Sequence, residues 1–483
     1  MRKALKAATL MGLAAALIAP AATVKAADMD MGSTKVTIGG QLRERLHWYA
    51  NRIGDENGDR LLGSYRARLK IKAELSNGVT AVFVPQAVGY WGENLQGVFL
   101  GEQSANPAST PLGRNVSGET NTVNIHEAYM LLANPFGINN VIVKIGRQEV
   151  NLGNQRLVGA VGWSQAGRSL DGILVGYVAG DYGLAGFFYG KLNDNVGRFD
   201  AWVMPQNGND GDSTDIDLYV ATWQGKFKPF GIGGTYELTD IYVNPRGAAL
   251  TARNINTLYG RVTPTFDTDF AKIKLNLEAA TQNGDAGKND FSGYFFSVGA
   301  GANFDQVAWA PSVFLGYDYY SGDSDDKGDI DSFWSVLPTA HKWLGHADIV
   351  WLETATNQNN VKSTLYKFNG AIAKRSPGVE DLYLKLHAKP LEKVAIGLDF
   401  HYFQTAEDYA VGQGVKPAGV KVQTSDDIGW ETDLELKYKY SKNLCLSLGW
   451  DHFDPDKDFA KTYFGTNSDD PEDHIWAQAD LRF

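Results

Sequence analysis

The closing stretch "HIWAQADLRF" alternates without a break: Ile475, Ala477, Ala479, Leu481 and Phe483 share one parity, and Trp476, Gln478, Asp480 and Arg482 the other. The same period of two returns throughout the chain. Val36, Ile38, Leu42, Leu46 and Trp48 oppose Thr37, Gln41, Arg43, Arg45 and His47. Tyr65, Ala67, Leu69, Ile71, Ala73 and Leu75 oppose Arg66, Arg68, Lys70, Lys72 and Glu74. Ala271–Ala279 and Trp430–Tyr440 repeat the pattern. A period of two means a strand with one apolar and one hydrated face. Runs of about nine to eleven residues exceed ordinary soluble strands and match what a tilted strand needs to cross a bilayer. Aromatics such as Trp48, Trp430, Tyr438, Tyr440 and Trp450 gather at the ends of the apolar faces, as a girdle at the lipid headgroups requires.

The connections alternate in length. "ELSNGVT", "LANPFGINN", "YVAGDYGL", "GKFKPFGI", "FDTDFAK", "AKPLEKV" and "YSKNLC" read as tight turns. Long connections fall at 95–121, 154–168, 194–214, 243–253, 322–360 and 407–425. Short turns on one rim and long loops on the other predict an all-β fold, a transmembrane antiparallel up-and-down β-barrel of about 18 strands, with a range of 16–20. The segment 345–375 resists assignment. A closing strand of this kind puts Phe483 toward lipid and resembles the terminal signal of outer-membrane proteins.

Composition narrows the class. Gly 53, Tyr 22, Phe 23 and Trp 12 are high counts for 483 residues. Mean hydropathy is −0.27, and no apolar run reaches the roughly eighteen residues of a membrane helix. At the N-terminus Arg2, Lys3 and Lys6 precede the apolar stretch Ala7–Ile18, Pro20 and "VKAA". This predicts a secretory signal peptide, residues 1–26, cut after Ala26, and one mature domain over 27–483. Losing Arg2, Lys3, Lys6 and Lys25 moves the formal charge from −11 to −15. Cys445 alone supports neither a disulfide framework nor a thiolate metal cluster, and no haem-attachment CxxCH is present.

Three stretches go beyond periodicity: "IGRQEVNLGNQRLVGAVGWSQAGRSLDGILVGY" (145–177), "SFWSVLPTAHKWLGHADI" (332–349) and "EDLYLKLHAKPLEKVAIGLDFHYFQT" (380–405). They resemble the alginate-export family of bacterial outer-membrane porins, from about residue 36 to 483. The resemblance implies an eighteen-stranded barrel with a positively charged passage for an anionic substrate. It assigns family-like positions to Arg147, Gln148, Arg156, Arg168 and Asp171. Strand parity places Lys144 and Gln148 inside but Arg147 and Glu149 outside. Either a bulge at Gly146 resets the register, or Arg147 lies beyond the membrane edge.

The polar faces of eight clean strands carry thirteen Lys and Arg against seven Asp and Glu, a surplus of six positive charges within an acidic chain. Candidates for an anion path are Arg43, Arg45, Arg66, Arg68, Lys70, Lys72, Lys144, Lys272 and Lys274, joined by the family-like positions. Such rows favour anions by focusing the field in a narrow passage. The alternative is that these charges only keep the interior wet and paired across strands. On the apolar faces the one charge is Glu44.

Acidic residues concentrate in loops. "DSDDKGDIDSFW" partly imitates a calcium loop through Asp323, Asp325 and Asp331, but Trp334 stands where the closing Glu belongs. No GxSxG or HExxH occurs, so no enzyme is expected, nor a cofactor or a nucleic-acid partner. Two functions remain: an outer-membrane channel for an anionic solute, or a barrel sleeve housing a periplasmic partner such as a multihaem cytochrome. The substrate, the direction of flow and the oligomeric state are not encoded in any single motif.

Overall fold

The computed structural model describes residues 27–31, 34–53, 59–91, 123–193, 215–227, 232–246, 253–286, 289–323, 328–350, 376–411, 423–466 and 469–483. The predicted signal peptide, the loops at 95–121 and 194–214, and Asp325 lie outside them. The strands are β1 (Ala27–Met31), β2 (Thr34–Ala50), β3 (Arg60–Glu74), β4 (Val79–Tyr90), β5 (Val123–Ala133), β6 (Val141–Gln148) and β7 (Leu170–Val178). They continue with β8 (Leu184–Asn193), β9 (Asp215–Phe227), β10 (Gly233–Arg246), β11 (Arg253–Asp267), β12 (Lys272–Ala286) and β13 (Asn289–Phe291). The last seven are β14 (Tyr294–Asn303), β15 (Ser312–Tyr320), β16 (Val379–Leu391), β17 (Val394–Ala410), β18 (Thr424–Lys439), β19 (Leu444–Pro455) and β20 (Glu472–Arg482).

All twenty belong to one sheet. The short β1 and β13 are flaps on β2 and β12, which leaves eighteen wall strands, each antiparallel to its neighbour. β20 pairs with β2 from Gln41 opposite Arg482 to Ala50 opposite Asp473, and this ladder closes the barrel. Closure satisfies every edge, which a sheet surrounded by hydrocarbon must achieve. The backbone of Phe483 continues the ladder onto Gly40 at 2.8 and 3.1 Å, and its ring lies across the glycine, where a Cβ would meet ring carbon at 2.8 Å.

The outer face is the apolar one. Leu238, Leu258, Leu277, Val298, Leu315, Leu382 and Leu434 are 39–54% exposed, a continuous patch that a water-soluble protein would not carry. Aromatics mark both rims. Near the short turns, Trp223 and Tyr236 donate to the Tyr182 carbonyl at 2.9 and 2.6 Å. Near the long loops sit Trp91, Trp430 and Trp450. Glu44, a charge on the apolar face, accepts from Trp91 Nε1 at 2.9 Å, while the Trp91 ring covers Gly63, where any side chain would collide.

Short turns fall where the sequence places them. Asn77 and Gly78 both take positive φ, the geometry that an Asn-Gly pair tolerates in a hairpin. The unassigned segment 345–375 supplies no strand among its described residues and belongs to the connection between β15 and β16. The β5–β6 and β6–β7 ladders run past Gly146 without a register shift, so no bulge turns Arg147 inward.

The inner face departs from the expected uniform polarity. Toward the long-loop rim, Leu218, Val220, Ile241, Val243, Ile255, Phe295, Tyr320, Phe403 and Phe453 point inward and are buried. Two stretches between strands, 149–169 and 328–350, supply what covers them: Val150, Leu157 and Val158 from the first, and Phe333, Trp334, Val336, Leu337 and Leu344 from the second. At about 25 cal/mol per Å² of apolar surface removed from water, this core fastens both segments inside the barrel.

Candidate lumen constriction

The two inner segments are joined to each other before they meet the wall. Val158 and Leu337 form a parallel bridge. Gly159 donates to Leu337 O (2.9 Å), Leu337 to Leu157 O (2.7 Å) and Thr339 to Gln155 O (3.0 Å). Arg168 reinforces the joint by donating to the carbonyls of Gly159, Leu337 and Pro338 at 3.3, 2.6 and 3.0 Å. Gln282 of β12 holds the second segment as a strand would, accepting from Trp334 N (2.8 Å) and donating to Trp334 O (2.7 Å).

The arginines of β2 and β3 hold the first segment. Arg43 donates to the carbonyls of Gly162, Trp163 and Ser164 at 2.8, 3.0 and 2.7 Å and to Gln165 Oε1 at 2.7 Å. Arg66 reaches Ser164 O (3.0 Å), Gln165 O (3.3 Å) and Gln41 Oε1 (2.9 Å). Arg45 donates to Trp163 O and Gln478 Oε1, and its guanidinium lies 3.5 Å from the Trp163 ring centre. All three are buried. Among the described residues their partners are neutral carbonyl and amide oxygens, so three positive charges gather here without an ion pair. Arg68 differs, bonding Glu149 at 3.2 Å besides Gln86 and Ala166 O.

Across the lumen, Arg156 anchors the first segment to β12 and β15. It contacts Glu278 at 3.1 Å and Asp318 at 2.7 Å, hydrogen-bonds the Tyr320 hydroxyl and packs 3.9 Å from the Trp343 ring centre. Burial opposes its charge, but Asp318, Tyr320 and Glu278 outweigh that penalty and push its pKa above the usual arginine value.

The remaining candidates divide by position. Lys70, Lys272 and Lys274 are exposed on the lumen face of the short-turn half. Lys72 pairs with Glu74 at 2.5 Å, and Lys144 lies 4.0 Å from the Tyr129 ring centre. Gln148 is buried and donates to the carbonyls of Gly146 and Gly172. Arg147 and Asp171 do not belong to the passage. They pair at 2.7 Å on the outer face, Asp171 sharing the parity of the exposed Ile173, Val175 and Tyr177. With the register unbroken, parity alone sends both outward. In the acidic loop, Asp323 accepts from Asp331 N (3.2 Å) and Asp331 from Ser292 Oγ (2.6 Å), so these carboxylates tie loop to loop.

Sequence reasoning missed an acidic and histidine cluster on β18 and β19, beside the closing strand β20. His346, Asp433 and Asp451 bring ligand atoms within 4.8 Å of one another. "HKWLGH" was the available signal, but its carboxylate partners come from β18 and β19, about ninety and a hundred residues downstream.

Glu149 gives a pH-dependent contact at the start of the first segment. Burial opposes its ionisation, yet the hydrogen bond and charge from His126 (2.7 Å) and the charges of Arg68 and Arg66 outweigh it and hold the carboxyl below its ordinary pKa. A depressed folded-state pKa stabilises above the ordinary carboxylate value, and that contribution is lost as pH falls through the folded one. The Glu149→Gln variant is therefore expected to melt below the unaltered barrel at neutral pH, with the gap narrowing under acid. Thermal unfolding in detergent across pH 3–7 checks this; a constant gap would refute it.

The closed eighteen-strand wall, the outward apolar band and the inward-folded segments define a porin-type barrel of the outer membrane. The pattern of the Alginate export family matches residues 35–466, and the chain belongs to that family. No curated protein matches the chain. Among solved structures it is similar to Acinetobacter baumannii OccAB4 (TM-score 0.56, 11% identity, covering 92% of this chain and 98% of that one). It is also similar to Pseudomonas aeruginosa OccK8 (OprE), with TM-score 0.54, 13% identity and coverage of 93% and 98%. A third similar structure is P. aeruginosa OccK2 (OpdF) in complex with glucuronate, with TM-score 0.54, 12% identity and coverage of 92% and 98%. At these identities the likeness concerns the fold.

Proposed function

We propose that this barrel is an outer-membrane channel for an anionic solute, with a small organic acid or an acidic saccharide as the substrate class. The observation that carries the reading is the set of three buried guanidiniums, Arg43, Arg45 and Arg66, bonded to neutral oxygens at the constriction. Inside a narrow passage with low-dielectric walls, a surplus of positive charge attracts anions and repels cations. Below it, the exposed Lys70, Lys272 and Lys274 extend the same sign toward the short-turn mouth. The glucuronate complex of OccK2 (OpdF) supports a carboxylate-bearing solute by analogy. A sleeve for a cytochrome fits less well, because the chain's own segments occupy the space a partner would need.

The test is the reversal potential of single channels across a salt gradient. Arginine changes would also disturb the inner segments, so the triple variant Lys70→Gln, Lys272→Gln, Lys274→Gln is the cleaner probe. Its anion preference is expected to fall, more at 0.01 M salt, where the Debye length is about 30 Å, than at 1 M, where it is about 3 Å. A cation-selective unaltered barrel would sink the anion reading. A barrel silent without a bound partner would revive the sleeve.

A further inference from the structure

The cluster on β18 and β19 has no role in the passage described above. Asp433 and Asp451 are 2% and 1% exposed, and Glu431, beside Asp433, is fully buried. Each of these carboxylates keeps one oxygen buried without a hydrogen-bond partner: Asp433 Oδ1, Asp451 Oδ1 and Glu431 Oε2. Among the described residues no Lys or Arg forms an ion pair with any of them; the ionic partners are His346 for Asp433 and His474 for Asp451. Buried carboxylates in such surroundings need a cation or a proton, since isolated charge is too costly to keep from water.

We propose that His346, Asp433 and Asp451 bind a divalent transition-metal cation of the zinc class, which pins the second inner segment to the barrel wall. The donor set is one imidazole nitrogen and two carboxylate oxygens. That suits zinc, which takes three protein ligands and a water, better than calcium, which needs six or more oxygens. At metal–ligand distances of about 2.1 Å, ligand atoms stand about 3.4 Å apart. His346 Nδ1 and Asp433 Oδ2 are 3.9 Å apart and all three ligand atoms lie within 4.8 Å of one another, so an inward shift of the side chains on the order of 1 Å closes the site.

The surroundings orient the ligands as metal sites require. His474 Nδ1 and Trp476 Nε1 contact Asp451 Oδ2 at 2.9 and 3.2 Å, and His47 Nδ1 meets His474 Nε2 at 2.9 Å. The backbone of His346 donates to Asp433 Oδ2 at 3.2 Å, and that of Ala347 to Glu431 Oε1 at 2.7 Å. Gly345, at φ +82°, lets the backbone approach this closely; a Cβ there would lie 2.3 Å from Glu431 Oε1. The His346 side chain is 24% exposed, which leaves the ion a way in from lumen water.

The experiment is titration of Zn²⁺ into the purified full-length barrel in detergent after chelator treatment, followed by calorimetry. One saturable site per chain is expected. His346→Gln and Asp451→Asn should each weaken it about tenfold or more, in variants that still run as compact barrels on unheated gels. Co²⁺ added to the unaltered protein gives a readout that needs no variant: visible absorption bands of a four- or five-coordinate nitrogen–oxygen site. Absence of saturable binding, binding untouched by both substitutions, or a purely aquo Co²⁺ spectrum would overturn the proposal and leave a proton shared between Glu431 and Asp433 in its place. None of these readouts involves conductance, so failure here is distinct from failure of the channel reading.

Discussion

The double variant Arg43→Met, Arg66→Met is expected to conduct several times more current than the unaltered barrel, in noisy, uneven steps. The two side chains together place their donors on the carbonyls of residues 162–165, and on the Gln165 side chain, from one stretch of wall. At about 1.5–3 kcal/mol for a hydrogen bond to a charged group, they hold that turn by several kcal/mol even when competition from water is discounted. Met preserves length and apolar contact but offers no donor, so residues 162–165 are left on β2 and β3 with the Arg45 contacts to Trp163 and the hydrogen bond from Gln165 to Ser64. The rest of the first segment stays docked through Arg156 and the apolar core, which is why partial, fluctuating opening is expected in place of a fully empty barrel. Single-channel recording at 1 M salt, where charge effects on selectivity are screened, isolates this mechanical effect. Unchanged conductance would mean that the arginines do not restrain the segment.

The second large effect belongs to Arg156→Met. Glu278 and Asp318 are 1% exposed at the side chain, and Arg156 is their shared counter-charge, Glu278 also meeting Arg261 at 3.4 Å. Removing one member of a buried ionic group typically costs about 3–5 kcal/mol, because the charges left behind stay out of water. Stability against unfolding in detergent should fall by that order. Adding Asp318→Asn should return part of the loss, since it deletes one orphaned charge. A double-variant cycle between positions 156 and 318 measures the coupling. Strict additivity would show that the pair acts independently.

The wall was legible in the sequence and the interior much less so. Alternation in 65–75 and 430–440 reports lipid on one side and water on the other, and it fixed strands, faces and the alternation of short and long connections. That signal is local. The stretch "IDLYVA" (216–221) breaks it, with Ile216, Leu218 and Val220 inward and Tyr219 and Ala221 outward, because both faces there are covered. Loss of alternation at a loop-proximal strand end was the available sign that something folds inward. The arginine row was visible as charge, but its partners are backbone carbonyls about 120 residues away, which carry no sequence identity. Arg147 and Asp171 show the opposite case. Family likeness drew them into the passage, whereas parity sent Arg147 outside, where it pairs with Asp171; Glu149, of the same parity but past the end of β6, turns instead to Arg68 and His126.

The parallel bridge between Val158 and Leu337 has an evolutionary consequence. Residues 155–159 and 337–339, about 180 positions apart, are complementary backbone edges, and Arg168 reads three carbonyls contributed by both. A change in the length of either stretch alters the hole that the other leaves. The two stretches are therefore expected to vary as a matched pair, and exchanging one of them alone between relatives should transplant a key without its lock.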